Sequence, residues 1–187
     1  MSITLEDRGR ALEDEFFNKE NAKKIEALKE KLDEQRSRED LRKASGMTDD
    51  AVLDKLVDLG LSAQTITALS LVPLVTVAWA DGSIQDNERN AILQAAHGKN
   101  LENGSPGYKL LESWLSTKPD GKLLDAWEAY MKALAGQLND EQNRMLRNQI
   151  VGFAKLIAES AGGILGIGKV AKGEEQAIAR IEAAFKR

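Results

Sequence analysis

The feature that most constrains the fold is the segment of residues 66–80, which is apolar around nearly its whole helical circumference. It reads ITALSLVPLVTVAWA, and its apolar positions cover every helical face: Ile66, Leu69, Pro73 and Val77 on one, and Leu71, Leu74, Val75 and Ala78 on the others. A helix with this pattern belongs at the centre of a domain. Pro73 predicts a kink within it, and the segment is shorter than the roughly 20 apolar residues that span a bilayer.

Directly after this segment, residues 81–88 read DGSIQDNE and form a compact acidic motif. The order D-G-x-I-x-x-x-E is that of the second half of an EF-hand calcium loop, whose final glutamate closes on the ion. The first half is missing, because Val77 and Trp79 stand where the loop would place its two leading oxygen ligands.

Two interpretations of this motif stay open. In the structural one, Gly82 takes the left-handed backbone conformation, Gln85 or Asp86 caps the next helix, and Glu88 and Asp86 favour its positive end. In the other, a divalent cation such as Ca²⁺, Mg²⁺ or Mn²⁺ binds at Asp81, Glu88 and Asp86.

Residues 74–89, with the pattern A-D-G-x-[IV]-x-x-x-E at their centre, resemble the signature of the TerB-like domains, an all-helical family named for a tellurite-resistance protein. The likeness in architecture spans residues 62–187 and is specific only at this motif. It implies a compact helical domain with an acidic patch, for which divalent-metal binding has been suggested. It implies no particular reaction, and only the family's name suggests a bacterial stress response.

A second, related turn is predicted near the carboxyl end. Ala161-Gly162-Gly163, a loop, Val170-x-x-x-Glu174 and a helix repeat the layout of the first turn, with Gly162 in place of Asp81. We therefore expect an all-α, compact multi-helix bundle of two related helix-turn-helix units facing each other around one core. Residues 163–169 also spell G-x-x-x-x-G-K, but Val170 replaces the Ser or Thr that would hold magnesium and no strand precedes it, which argues against nucleotide binding.

Residues 1–44 are predicted to form a long, highly charged helix, the arm, ahead of the TerB-like domain that the resemblance implies at 48–187. Acid-first pairs four apart, such as Glu34 with Arg38 and Glu39 with Lys43, favour helix. The arm's apolar positions make only a thin stripe: Leu12, Phe16, Ile25, Leu28 and Leu32. It suits a solvated helix packed loosely on its own domain, half of a coiled-coil dimer, or a docking arm for a partner protein with Phe16 and Phe17 as anchors.

Composition narrows the function classes. The 26 Lys and Arg against 30 Asp and Glu give a net charge of −4, which argues against a broad nucleic-acid surface. Without cysteine, and with His97 as its one histidine, the chain has few of the groups from which active sites are built. We expect a cytoplasmic, non-enzymatic protein without a transmembrane segment that acts through protein contacts. Cation binding at the acidic turn is the alternative.

Overall fold

The computed structural model describes residues 5–161 and 171–186, and the side chains of residues 19–160 and 171–186. Within these ranges all regular structure is helical. The helices are α1 (Leu5–Ser45), α2 (Asp50–Asp58), α3 (Ile66–Leu69), α4 (Val72–Ala78), α5 (Asp86–Gly98), α6 (Pro106–Ser116), α7 (Gly121–Gln137), α8 (Asp140–Ala161) and α9 (Lys172–Ala183). The predicted all-α bundle with a long amino-terminal helix is confirmed.

The short helix α4 lies at the centre of the bundle. Its residues are buried almost without exception, and so is Leu71 just before it. It packs against α5, α7, α8 and α9, so that every face of the helix meets apolar side chains. This surround explains why a segment apolar on all sides is stable here, and it confirms the prediction that this segment forms the core.

The expected single kinked helix over residues 66–80 is wrong. The chain instead breaks between Leu69 and Val72, and Pro73 is the second residue of a new helix. The first backbone N–H groups of a helix have no partner within it, so the missing donor of proline is harmless at that position. Proline therefore starts a helix here, where we had expected it to bend one.

The two predicted helix-turn-helix units face each other across the core. The first comprises α4 and α5, and the second comprises α8 and α9. α8 packs on both helices of the first unit, and α9 packs on α4. The turn of the second unit, residues 162–170, lies outside the described residues, and so does the G-x-x-x-x-G-K pattern within it.

Among the described side chains of α1, those of its last turns anchor the helix to the bundle. Leu41 is fully buried, and the Arg38 guanidinium lies 3.0 Å from the Asp54 carboxylate of α2. Arg42 donates a hydrogen bond to the Thr48 carbonyl at 3.1 Å. The expected pairing of Arg38 with Glu34 gives way to this contact with α2, and Glu39 pairs with Arg42 at 3.4 Å in place of Lys43.

From residue 19 to residue 36, by contrast, nearly every side chain of α1 is exposed. The described helices include none with both the length and the apolar content needed to cross a membrane.

Candidate functional site

The acidic turn between α4 and α5 is stabilised by the backbone conformation of Gly82 and by one local hydrogen bond. Gly82 has a φ of +96°, the left-handed conformation that its position predicted. The exposed Asp81 carboxylate accepts a hydrogen bond from the Ser83 N–H at 3.1 Å. Asp81 thereby closes the turn locally, which is a common task for an aspartate in this position.

Glu88 has a different role, because it is almost completely buried, with 1% of its surface exposed. It is the third residue of α5, and its carboxylate accepts the N–H of Gln85, the residue before the helix, at 2.8 Å. This contact is the glutamate half of a capping box. The structure thus shows Glu88 as a cap of α5, which is a more specific role than the favourable place at the positive end of the helix that the structural interpretation gave it.

The second unit repeats this arrangement. Glu174 is the third residue of α9, is 4% exposed, and accepts the N–H of Ala171 at 2.6 Å. The methyl side chain of Ala171 cannot accept a hydrogen bond from a backbone N–H of α9, so only the glutamate half of the capping box forms. The spacing Val170-x-x-x-Glu174 had predicted the correspondence, and the two glutamates confirm it at the start of each second helix.

A close backbone approach holds the two units together at this point. A Cβ atom on Gly173, next to Glu174, would lie 2.7 Å from the Ala80 carbonyl oxygen. Only glycine at this position allows the start of α9 to lie so near the end of the first unit. The approach brings the charge of Glu174 within electrostatic range of Glu88.

These surroundings raise the pKa of Glu88 to about 7. Burial is the main cause, since it disfavours the charged carboxylate, and the negative charges of Asp81 and Glu174 add to it. The hydrogen bond from the Gln85 N–H acts in the opposite direction. Glu88 therefore titrates near neutral pH.

The structure brings two of the three predicted cation ligands into one electrostatic group, Asp81 and Glu88. Asp86 is exposed on the first turn of α5 and does not contribute to the pKa shift of Glu88. Among the described residues, no three or more His, Asp or Glu side chains are grouped so that they could hold a metal ion. The turn has a demonstrated structural role, whereas cation binding stays a prediction.

The lone histidine, His97, packs its ring against Tyr108, with 5.8 Å between the ring centroids. This ring contact is part of the packing between α5 and α6.

The other candidate site is the exposed part of α1. Ile25, Leu28 and Leu32 are 56%, 59% and 54% exposed, and their spacing of three and four residues puts them on one helical stripe. Leu41, which anchors α1 to the bundle, follows Leu32 by about two and a half helical turns. The stripe therefore faces away from the side of α1 that contacts the bundle. The side chains of Phe16 and Phe17, the predicted anchors, lie outside the described residues.

A second apolar surface is a groove of about 420 Å³ between α4, α5 and α8. It is bordered by Phe153 and Leu156, which are 40% and 58% exposed. Phe153 therefore lies at the rim of this groove and not in the buried core.

Comparisons of the chain with family models, with curated proteins and with solved structures give no match.

Proposed function

We propose that this is a non-enzymatic, TerB-like helical protein that acts through contacts with another protein, and that α1 is its contact element. The observation that carries the proposal is the stripe of Ile25, Leu28 and Leu32, three large aliphatic side chains each more than half exposed on a helix that leaves the bundle. The resemblance of residues 74–89 to the TerB-like signature supports the family assignment.

The energetics favour a contact role for this stripe. Full burial of a Leu or Ile side chain contributes about 1.5–3 kcal/mol of favourable free energy. Because the three side chains are more than half exposed in the fold, most of this free energy could still be gained on binding. Outside the bundle, the described part of the helix has its local helix propensity to stabilise it, and propensity alone is a weak source of helix stability. A partner that covers the stripe would therefore stabilise both the contact and the helix.

The geometry also favours α1 over the groove beside α8 as the main contact element. The groove is an indentation among helices that are already packed, whereas the arm presents its stripe free of the bundle over several turns. Recognition through an amphipathic helix with anchors three and four residues apart is a common mode of protein association.

The test compares the full-length protein with two triple variants. Ile25→Gln/Leu28→Gln/Leu32→Gln removes the stripe and keeps a good helix former at each position. Glu26→Gln/Glu30→Gln/Glu34→Gln is the matched control on the other faces of the same turns. We expect proteins from the native source that co-purify with the wild type to be lost with the stripe variant and kept with the control. Equal recovery with all three would refute the proposal, provided circular dichroism shows the same helix content.

Divalent-cation binding at the acidic turn is the second candidate. The observation that favours it is the gathering of negative charge, in which Asp81 and Glu174 both act on Glu88. Titration with Ca²⁺, Mg²⁺ and Mn²⁺, followed by amide NMR, tests it. Shifts confined to residues 81–88 and 171–175 that disappear in Asp81→Asn would support a cation site. An unchanged spectrum at millimolar metal would refute it.

A further inference from the structure

The exposed stripe of α1 is bordered by positive charge on both sides. With Ile25, Leu28 and Leu32 at the centre, the helical repeat of 3.6 residues places Lys24 and Lys31 along one edge. It places Lys29 and Arg36 along the other edge. These four cations form the rim of the stripe.

The acidic residues of the same turns lie elsewhere. Glu26, Glu30 and Glu34 fall on the back of the helix, away from the stripe. None of the four rim cations has an ion-pair partner among the described side chains, whereas Lys23 lies 3.8 Å from Glu20 and Arg38 pairs with Asp54. The rim is therefore a set of cations without ion-pair partners in the described structure around an uncovered apolar surface, although Lys31 also lines a cleft that contains Asp54 and Asp58 of α2.

This pattern disfavours a second copy of the chain as the occupant. In a parallel pair of arms joined through the stripe, Lys24 would face Lys29 of the other copy and Lys31 would face Arg36. In an antiparallel pair each edge would face itself, again with like charges. Like charges directly across a helix interface select against that pairing.

An anionic membrane is also a poor match. Residues 19–36 contain six Lys and Arg against five Asp and Glu, so the segment has almost no net charge to attract it to a negative surface. The stripe within this segment is narrow and carries no Trp or Phe, the residues that commonly anchor helices at a bilayer interface. At contact distance, however, each rim cation can interact with a separate charged group of a bound partner.

We infer that the arm binds an amphipathic helix of another protein whose apolar stripe is bordered by Asp and Glu. Such a helix would cover Ile25, Leu28 and Leu32 and place a carboxylate beside each rim cation. The inference rests on the proposed function, because it names the chemistry of the partner that the same stripe would take.

The experiment measures binding of two synthetic helical peptides to the full-length protein by fluorescence anisotropy. The peptides share one stripe of Leu and Ile and differ only in the bordering residues, which are Glu in one and Lys in the other. We expect the Glu-bordered peptide to bind about tenfold or more tightly than the Lys-bordered one, and its affinity to fall as salt is raised.

Two double variants with the same change in net charge locate the effect. Lys24→Glu/Lys29→Glu alters the rim, and Lys19→Glu/Lys23→Glu alters the back of the helix. The rim variant should lose the preference for the Glu-bordered peptide, whereas the back variant should keep it. An equal loss in both variants would mean that net charge and not the rim sets the preference, and would overturn the inference.

The remaining outcomes separate this inference from the proposed function. Equal affinity for both peptides, abolished by Ile25→Gln/Leu28→Gln/Leu32→Gln, would overturn the acidic partner and leave the arm as a contact element. Stripe-dependent binding to phosphatidylserine vesicles, or stripe-dependent dimers in sedimentation equilibrium, without peptide binding, would overturn it in favour of lipid or of a second copy. If neither peptide binds and the triple variant retains every co-purifying protein, both proposals fail.

Discussion

The α4 core helix and the exposed part of the α1 arm show how differently two helices of one chain are stabilised. α4 spans only Val72–Ala78, too short to be stable alone, yet apolar packing on all sides fixes it. α1 is several times longer and leaves residues 19–36 almost wholly exposed. Local sequence preference supports the arm, whereas only tertiary contacts support the core helix.

The largest expected effect comes from one substitution made in both regions. Leu71→Ala removes a fully buried side chain next to α4 and should lower the free energy of unfolding by about 2–5 kcal/mol, because a cavity remains. Leu28→Ala, at a position 59% exposed, should change it by less than about 0.5 kcal/mol. Urea unfolding of both variants checks the contrast, and similar losses would contradict it.

The next effect concerns the buried carboxylate of Glu88, whose pKa folding raises from 4.5 to about 7. The folded state then holds a proton that the unfolded state releases, so the contribution of Glu88 to stability is greatest below pH 4.5 and falls as pH rises to about 7. The shift corresponds to a loss of up to about 3 kcal/mol across that window. Glu88→Gln keeps an oxygen that can cap α5 but cannot titrate.

Unfolding of the wild type and of Glu88→Gln should therefore be compared at pH 5 and pH 8. We expect the variant to gain stability relative to the wild type at the higher pH. Asp86→Asn, an exposed change on the same turn, serves as the control and should show no such difference. Parallel pH profiles for the wild type and Glu88→Gln would refute the assignment of the raised pKa.

A smaller effect is expected where the two helix-turn-helix units touch. Gly173→Ala would place a methyl group 2.7 Å from the Ala80 carbonyl oxygen, so the backbone must shift, and we expect a loss of about 1–3 kcal/mol. Gly152→Ala is the matched control in the interior of α8, where nothing lies within 4 Å of the added carbon. There alanine should stabilise the helix by about 0.5–1 kcal/mol. Thermal unfolding would contradict the account if both variants moved in the same direction.

Sequence reasoning identified the core well, because a segment apolar on every face has few places in a fold. It also identified the left-handed Gly82 and the correspondence of Glu88 with Glu174, since turn glycines and helix-cap glutamates follow local rules. The break before Pro73 was missed because proline is compatible both with a kink and with a helix start, and tertiary packing decides between them.

The arm shows more clearly which features could not be predicted from the sequence. Its stripe was visible in the sequence, but which other residues of the arm the bundle covers was not. Arg38 was assigned to Glu34 on its own helix, yet it reaches Asp54 of α2, because local spacing cannot reveal which charges a neighbouring helix supplies. The anchoring of α1 through Leu41, on the opposite side from Ile25, Leu28 and Leu32, needed the structure.

Amide hydrogen exchange on the full-length protein tests most directly the central claim that the exposed part of α1 is a free arm. Peptides covering residues 20–34 should exchange orders of magnitude faster than peptides covering 72–78, since only α4 is held by the core. Arm protection equal to that of α4, and unchanged on dilution, would show that the stripe is already covered within one molecule and would contradict the account.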